Sequence, residues 1–189
     1  AGLRSGLAHD ALAAESLGLR RKAGDLWGAR MALGLLAFGA HQRGDAARAE
    51  MLYRESLAIE RGLVGDHSPA ALTLDSLGWL ALDRGDAGRA FELFQEALAM
   101  MEEIGDRRGR PDALAGLGRA VLQQGKFDPA IALYEESLAL ARAVGEEQGI
   151  ALALYWLGHA WPRYPTRRLG DWPRPHAGTG RGRGACRNR

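Results

Sequence analysis

Residues 77–106 read LGWLALDRGDAGRAFELFQEALAMMEEIGD, and every other informative part of the chain copies this stretch at a spacing of 40 or 41 residues. The Gly-(Asp/Lys) step recurs at Gly44, Gly85 and Gly125. Alanine follows five residues later, at Ala49, Ala90 and Ala130, and an aromatic follows nine residues later, at Tyr53, Phe94 and Tyr134. A small residue and a leucine come next, as Ser56-Leu57, Ala97-Leu98 and Ser137-Leu138. A second glycine-acid step closes each unit, at Gly65-Asp66, Gly105-Asp106 and Gly145-Glu146. Self-similarity at a fixed period of this length marks a repeat architecture, and it precedes any other argument about the fold.

Each unit holds two helices. In the first complete one, Gly28 to Gln42 places Leu33, Leu36 and Ala40 at helical spacing. Arg43-Gly44-Asp45 then breaks the helix: glycine suits the left-handed cap of the helix just ended, and aspartate caps the next. The second helix, over 46–63, puts Ala49, Leu52, Tyr53, Ser56 and Leu57 on one face, the wide apolar stripe of a core-facing helix. So short a turn implies antiparallel neighbours. The same reading gives helices near 69–83 and 87–104, then 110–124 and 127–144, with Asp128-Pro129 in a first turn that tolerates proline. Residues 5–23 read as the second half of a unit whose first half is absent. A fourth unit opens at Gly149 with Leu154, Leu157 and Gly158, then fails where Pro165 stands in place of the glycine-acid step. The chain therefore divides into a repeat array over 1–161, with full units at about 28–65, 69–105 and 109–145 and half-units at each end, and a tail over 162–189.

The pattern resembles the tetratricopeptide repeat. Leu77-Gly78, Ala90, Phe94 and Ala97 match its signature, as do Leu117-Gly118, Ala130 and Tyr134. The first unit has Leu36-Ala37 instead of Leu-Gly, and serine replaces the last alanine in units one and three. The period exceeds the usual 34 residues or so. This longer form, with its closing Gly-acid step and a glycine four residues beyond (Gly28, Gly109, Gly149), resembles arrays attached to large bacterial regulators. The resemblance implies an all-α, right-handed α-solenoid of antiparallel helix-turn-helix repeats. Its function would be a protein-protein interaction scaffold, the sensing arm of a bacterial regulatory protein, in the cytoplasm, with no catalysis and no cofactor.

One hairpin cannot bury its own apolar face, whereas stacked neighbours bury a continuous one. Small residues at Gly78, Gly118, Ala90 and Ala130 let backbones approach, and the aromatics fill the gap to the next unit. The resemblance implies that first helices line a concave surface. Their outward positions fall into columns: Phe38, Trp79, Arg119 and His159; Gln42, Asp83 and Gln123; Asp75 and Tyr155. An aromatic, a guanidinium and amides in one groove suit an extended or helical peptide. The competing reading is that Phe38 and Trp79 pack against adjacent helices. Both ends of the array lack capping helices, which leaves self-association open.

Composition bounds the remaining classes. The chain has 189 residues, 47% hydrophobic and 25% charged, enough for a sizeable core. Its formal charge of +2 averages two unlike parts. Residues 163–189 hold eight arginines against Asp171 alone, while residues 1–162 carry 17 basic and 22 acidic side chains. The one cysteine, Cys186, excludes an internal disulfide and fits a reducing compartment. The apolar run from Met31 to Ala40 is too short to span a bilayer, and no signal peptide is visible, so no membrane partner is expected. Because Ala1 is not an initiator methionine, the chain reads as a processed product or a fragment.

Catalytic signals are poor. His9, His41, His67, His159 and His176 show no ligand spacing, so no metal is expected. Gly125-Lys126 has the letters of a phosphate loop, but Ala120 replaces the first glycine and Phe127 the Ser/Thr. Gly180, Gly182 and Ala185 fit a dinucleotide fingerprint without a preceding strand. Ser56 and Ser137 lack a nearby base, and Glu102-Glu103, Glu135-Glu136 and Glu146-Glu147 read as solvated helix faces. The Pro-, Gly- and Arg-rich tail admits three readings: a disordered solvated segment, a nucleic-acid binder acting through phosphates and stacking, or a sequence read out of frame. Nucleic acid is not expected as a partner except through this tail.

Overall fold

A computed structural model of the chain describes residues 2–62 and 68–160, with side chains from Asp10 onward. The tail and the Gly65-Asp66 step lie outside the described residues. The described residues form eight helices and no strand: α1 (Gly2–Lys22), α2 (Leu26–Gln42), α3 (Ala46–Gly62), α4 (Ser68–Asp83), α5 (Ala87–Glu103), α6 (Arg110–Gln123), α7 (Phe127–Val144) and α8 (Glu147–Ala160). Each packs on the next, and the broadest contacts fall within α2–α3, α4–α5 and α6–α7. First helices also touch one another, α4 on α6 and α6 on α8. This is an all-α solenoid.

The glycine-acid step explains where helices stop and start. The six glycines at 24, 44, 85, 105, 125 and 145 all take φ between 70° and 78°, a left-handed conformation that favours glycine. At Gly85 the amide donates to the Leu82 carbonyl (3.0 Å) and the next amide, of Asp86, donates to the Ala81 carbonyl (2.9 Å), which satisfies the last carbonyls of α4. The Asp86 carboxylate then accepts the Arg89 amide at 2.9 Å and caps α5. Asp45 does the same for Arg48 at 3.2 Å.

The closing step adds one demand. Asp25 accepts the Gly28 amide at 2.8 Å and Asp106 the Gly109 amide at 3.1 Å, so each carboxylate folds over a glycine. A Cβ on Gly109 would stand 2.7 Å from Asp106 Oδ2, which is why glycine recurs four residues past this step. Helix α2 begins at Leu26, two residues before the expected Gly28, and α8 at Glu147 instead of Gly149, whereas α6 begins at Arg110 as expected.

The core is built from the signature residues. Ala49, Ala90, Ala130, Phe94 and Tyr134 are all buried. Phe94 of α5 sits over Gly78 of α4, where a Cβ would lie 2.8 Å from its ring, and also against Gly116 of α6 in the next unit. Tyr134 of α7 covers Gly118 in the same way, at 2.6 Å. The small-residue slot has a second use: Ser137 donates to the Pro111 carbonyl at 2.7 Å, and Ser56 to Glu60 at 3.1 Å. Both hydroxyls are thus engaged, and Ser56, expected to lack a nearby base, has the Glu60 carboxylate beside it one turn on in α3.

Candidate functional site

Helices α2, α4, α6 and α8 carry the columns read from the sequence, and part of those columns forms one contact group. Its centre is Arg119 on α6, whose guanidinium lies 5.8 Å from the Trp79 ring and 5.0 Å from the Trp156 ring. Two flanking aromatic faces hold a guanidinium by cation–π attraction and leave its N–H edge for a partner. Asp83 on α4 stands 3.5 Å from Arg119, and its other oxygen lies 3.0 Å from Nε2 of His41 on α2. Beyond Trp156, Tyr155 and His159 close the row: Tyr155 meets the Trp156 ring edge-on at 5.0 Å, and His159 does so at 5.7 Å. Carboxylate, guanidinium, indole and imidazole groups therefore run across four successive first helices.

The sequence columns divide on this geometry. Trp79, Asp83, Arg119, Tyr155 and His159 come together, whereas Phe38, Gln42 and Gln123 are exposed and stand outside this set of ring and ion contacts. The packing reading of the two aromatics separates them. Trp79 is half-buried and meets Phe94 edge-on at 5.6 Å, while Phe38 is 58% exposed. Phe38 extends a row of exposed apolar side chains on α2 with Trp27, Met31 and Leu35.

Asp75 differs from an outward position. Its Oδ1 is sealed from solvent without a hydrogen-bond partner. Burial pushes the carboxyl up to about 7, the Asp112 carboxylate reinforces this from α6, and a hydrogen bond to Trp79 opposes it. Asp112 is raised as well, by burial and then by Glu146. Tyr53 faces the same region from α3, its hydroxyl raised by burial.

Two participants escaped the sequence columns, Trp156 and His41. Trp156 occupies the slot just before Leu-Gly, held by Ser76 in α4 and Gly116 in α6. In each unit this slot meets the aromatic of the preceding second helix: Tyr53 hydrogen-bonds Ser76, Phe94 lies on Gly116, and Tyr134 stacks on Trp156 at 6.4 Å. The repeat register alone carries that signal, since the slot follows the aromatic by 22 or 23 residues in each unit. His41 precedes Gln42 on α2, where later units have leucine (Leu82, Leu122), and that polar exception was the available clue.

Among the described residues, no group of three or more His, Cys, Asp or Glu side chains could hold a metal, and no helix is long and apolar enough to cross a membrane. The arrangement presents charged groups and ring faces side by side on the first-helix layer.

Comparisons with known proteins agree with the geometry. No curated protein matches the chain. Among solved structures, BtubC (BKLC) from P. vanneervenii superposes with a TM-score of 0.72 at 23% identity, covering 85% of this chain and 67% of that one. A putative kinesin light chain from Podosopora anserina with nearly identical TPR-like repeats is similar at 17% identity and TM-score 0.67, over 83% of this chain and 77% of that one. A second structure of that protein gives 16% and 0.60, over 86% and 90%. At such identities the likeness concerns the fold. A family model for the tetratricopeptide repeat matches residues 29–103 and 85–143, more than half of the chain. Helix pairing, the glycine-acid turns and this match agree: the chain belongs to the tetratricopeptide repeat family.

Proposed function

We propose that this chain is a protein-interaction scaffold that binds an extended or helical peptide along the face formed by α2, α4, α6 and α8. Tetratricopeptide repeats generally mediate protein–protein interaction. The observation that carries the choice of face is Arg119, set between Trp79 and Trp156 beside Asp83. A guanidinium fixed between rings is already ordered, so less rotamer entropy is lost on binding a carboxylate or a carbonyl. Tyr155 and His159 extend the same face, and the exposed Phe38, Gln42 and Gln123 add an apolar and two amide contacts. The test is to select peptides on the full chain and titrate them calorimetrically against wild type and Arg119→Ala. A loss of about tenfold or more in affinity is expected for a residue of this type. Equal affinity with the variant places the binding elsewhere.

The parent protein is a bacterial regulator of cytoplasmic location, with this array as its sensing arm. The support is the longer repeat with its closing Gly-acid step and the glycine beyond it, at Gly109 and Gly149. Sequencing the gene on both sides of this region tests the idea. A nucleotide-binding switch domain in the same transcript is the expected result, and start and stop codons tightly bracketing these residues refute it.

A further inference from the structure

A groove of about 700 Å³ opens between α3 and α5, the second helices of two neighbouring units, within the size range of ligand-binding clefts. Leu57, Leu74, Leu77 and Leu93 back it, each more than nine-tenths covered by its neighbours. Its walls are charged, with Arg54 and Arg61 on α3, Arg89 on α5 and Arg84 at the end of α4. The lining positions on α3 run from Glu50 to Arg61, roughly 16 Å at the helical rise per residue, so about three turns of a guest helix fit along it.

One residue of the repeat differs where the groove lies. Glu50, Phe91 and Ile131 are equivalent, each six residues after the inter-helix glycine. At the α5–α7 junction Phe91 packs against the apolar clusters on both sides. At the α3–α5 junction Glu50 takes that place, bound to Arg54 at 2.6 Å and to Arg84. The preceding junction repeats the ionic pair as Asp10–Arg43, but Ala14 stands at the position of Arg54.

The charge balance selects the guest. Glu50 serves two guanidinium groups, Arg61 takes Glu96, and Arg89 pairs at 2.9 Å with Glu92, which lies outside the groove. Asp86 is engaged as the cap of α5. Four arginines thus face three acids, one of them committed to the backbone. The arginines of these pairs are half exposed or more, so an incoming carboxylate reaches them without burying a new charge. We propose that this groove is a second binding site, separate from the Arg119 face, for an acidic amphipathic helix. Its leucine-type side chains would lie toward the leucine backing and its carboxylates against Arg54, Arg84 and Arg89.

The test is fluorescence anisotropy of the full chain with a fluorescein-labelled helical peptide of leucine and glutamate. Saturable binding is expected, and the lysine-for-glutamate peptide should not bind. Glu50→Phe, which fills the slot as Phe91 does, should weaken binding by about tenfold or more while raising the melting temperature. Arg84→Glu, at an exposed helix end, should weaken it similarly, and Arg119→Ala should leave it unchanged. No saturable binding, or wild-type affinity in a folded Glu50→Phe chain, overturns the proposal. Loss of binding in Arg119→Ala assigns the acidic peptide to the other face and overturns it too.

Discussion

At the scale of single residues, the informative positions are those where the repeat is broken or its polar groups are buried. Asp75 is the clearest case. One oxygen of its carboxyl, Oδ1, is sealed and unpartnered, and the group is raised from 3.8 to about 7 by burial, then by Asp112. Trp79 on its own helix and Tyr53 on α3 are the other groups facing it. An acid with a raised folded-state pKa holds its proton in the native state after the unfolded chain has released it. The native state therefore binds more protons across that window, and stability falls as pH rises from about 4 to about 7, then levels. Asp112 shifts in the same direction. Asp75→Asn removes one contribution, so the variant should match wild type near pH 4 and melt higher than wild type near pH 8. Thermal denaturation at the two pH values measures this, and identical melting temperatures at the higher pH would refute it. The sequence placed Asp75 at an outward column position because spacing gives the face of a helix, not the depth to which a neighbour covers it. Arg119 and Trp79 were legible for the complementary reason: equivalent positions on adjacent first helices lie side by side. Trp156 required the interval between an aromatic and the following unit, a contact between units that no single helix displays.

At the scale of elements, the turn chemistry decides nearly everything. The left-handed glycine and the acid after it recur because one ends a helix and the other starts the next, and this made the helix bounds legible to within about two residues. Unit three departs from the rule. Lys126 occupies the N-cap of α7 with φ −93° and ψ 86°, close to Asp86 at φ −87° and ψ 75°, yet makes no side-chain cap hydrogen bond. The backbone is already shaped for a capping carboxylate. Lys126→Asp should stabilise the chain by about 1 kcal/mol by satisfying a first-turn amide and placing negative charge at the helix N-terminus. The Lys126–Gln124 hydrogen bond that would be lost is exposed and contributes little. Urea denaturation with an unchanged slope is the measurement; a midpoint at or below wild type would show that this turn does not accept the cap.

At the scale of the whole molecule, a solenoid is a row of units whose stability is approximately the sum of unit and nearest-neighbour terms, so its weakest junction has physical meaning. That junction is α3–α4. It is the smallest contact between consecutive helices, and the Glu50 groove opens beside it. Apolar residues such as Leu57 and Leu74 continue through it, but so does Glu60, 3% exposed. One oxygen of Glu60 accepts from Ser56 (3.1 Å) and Thr73 (3.2 Å) and stands 3.6 Å from Arg30, while the other has no partner. A buried ion pair left half-satisfied returns little net stability, because desolvation cancels most of the attraction. The α5–α6 junction has the opposite character, with Phe94 between Gly78 and Gly116 and Phe91 joining the two apolar clusters. Opening should therefore occur in two steps. In native-state hydrogen exchange under rising urea, the amides of α1–α3 should exchange through an opening of lower free energy than those of α4–α7. Merging of all helices into one opening at every urea concentration would mean that the junction is as strong as its neighbours. Glu50→Phe separates the two causes of weakness. If the open groove dominates, the α1–α3 opening rises to meet the other; if Glu60 dominates, the two openings stay apart although the groove is filled.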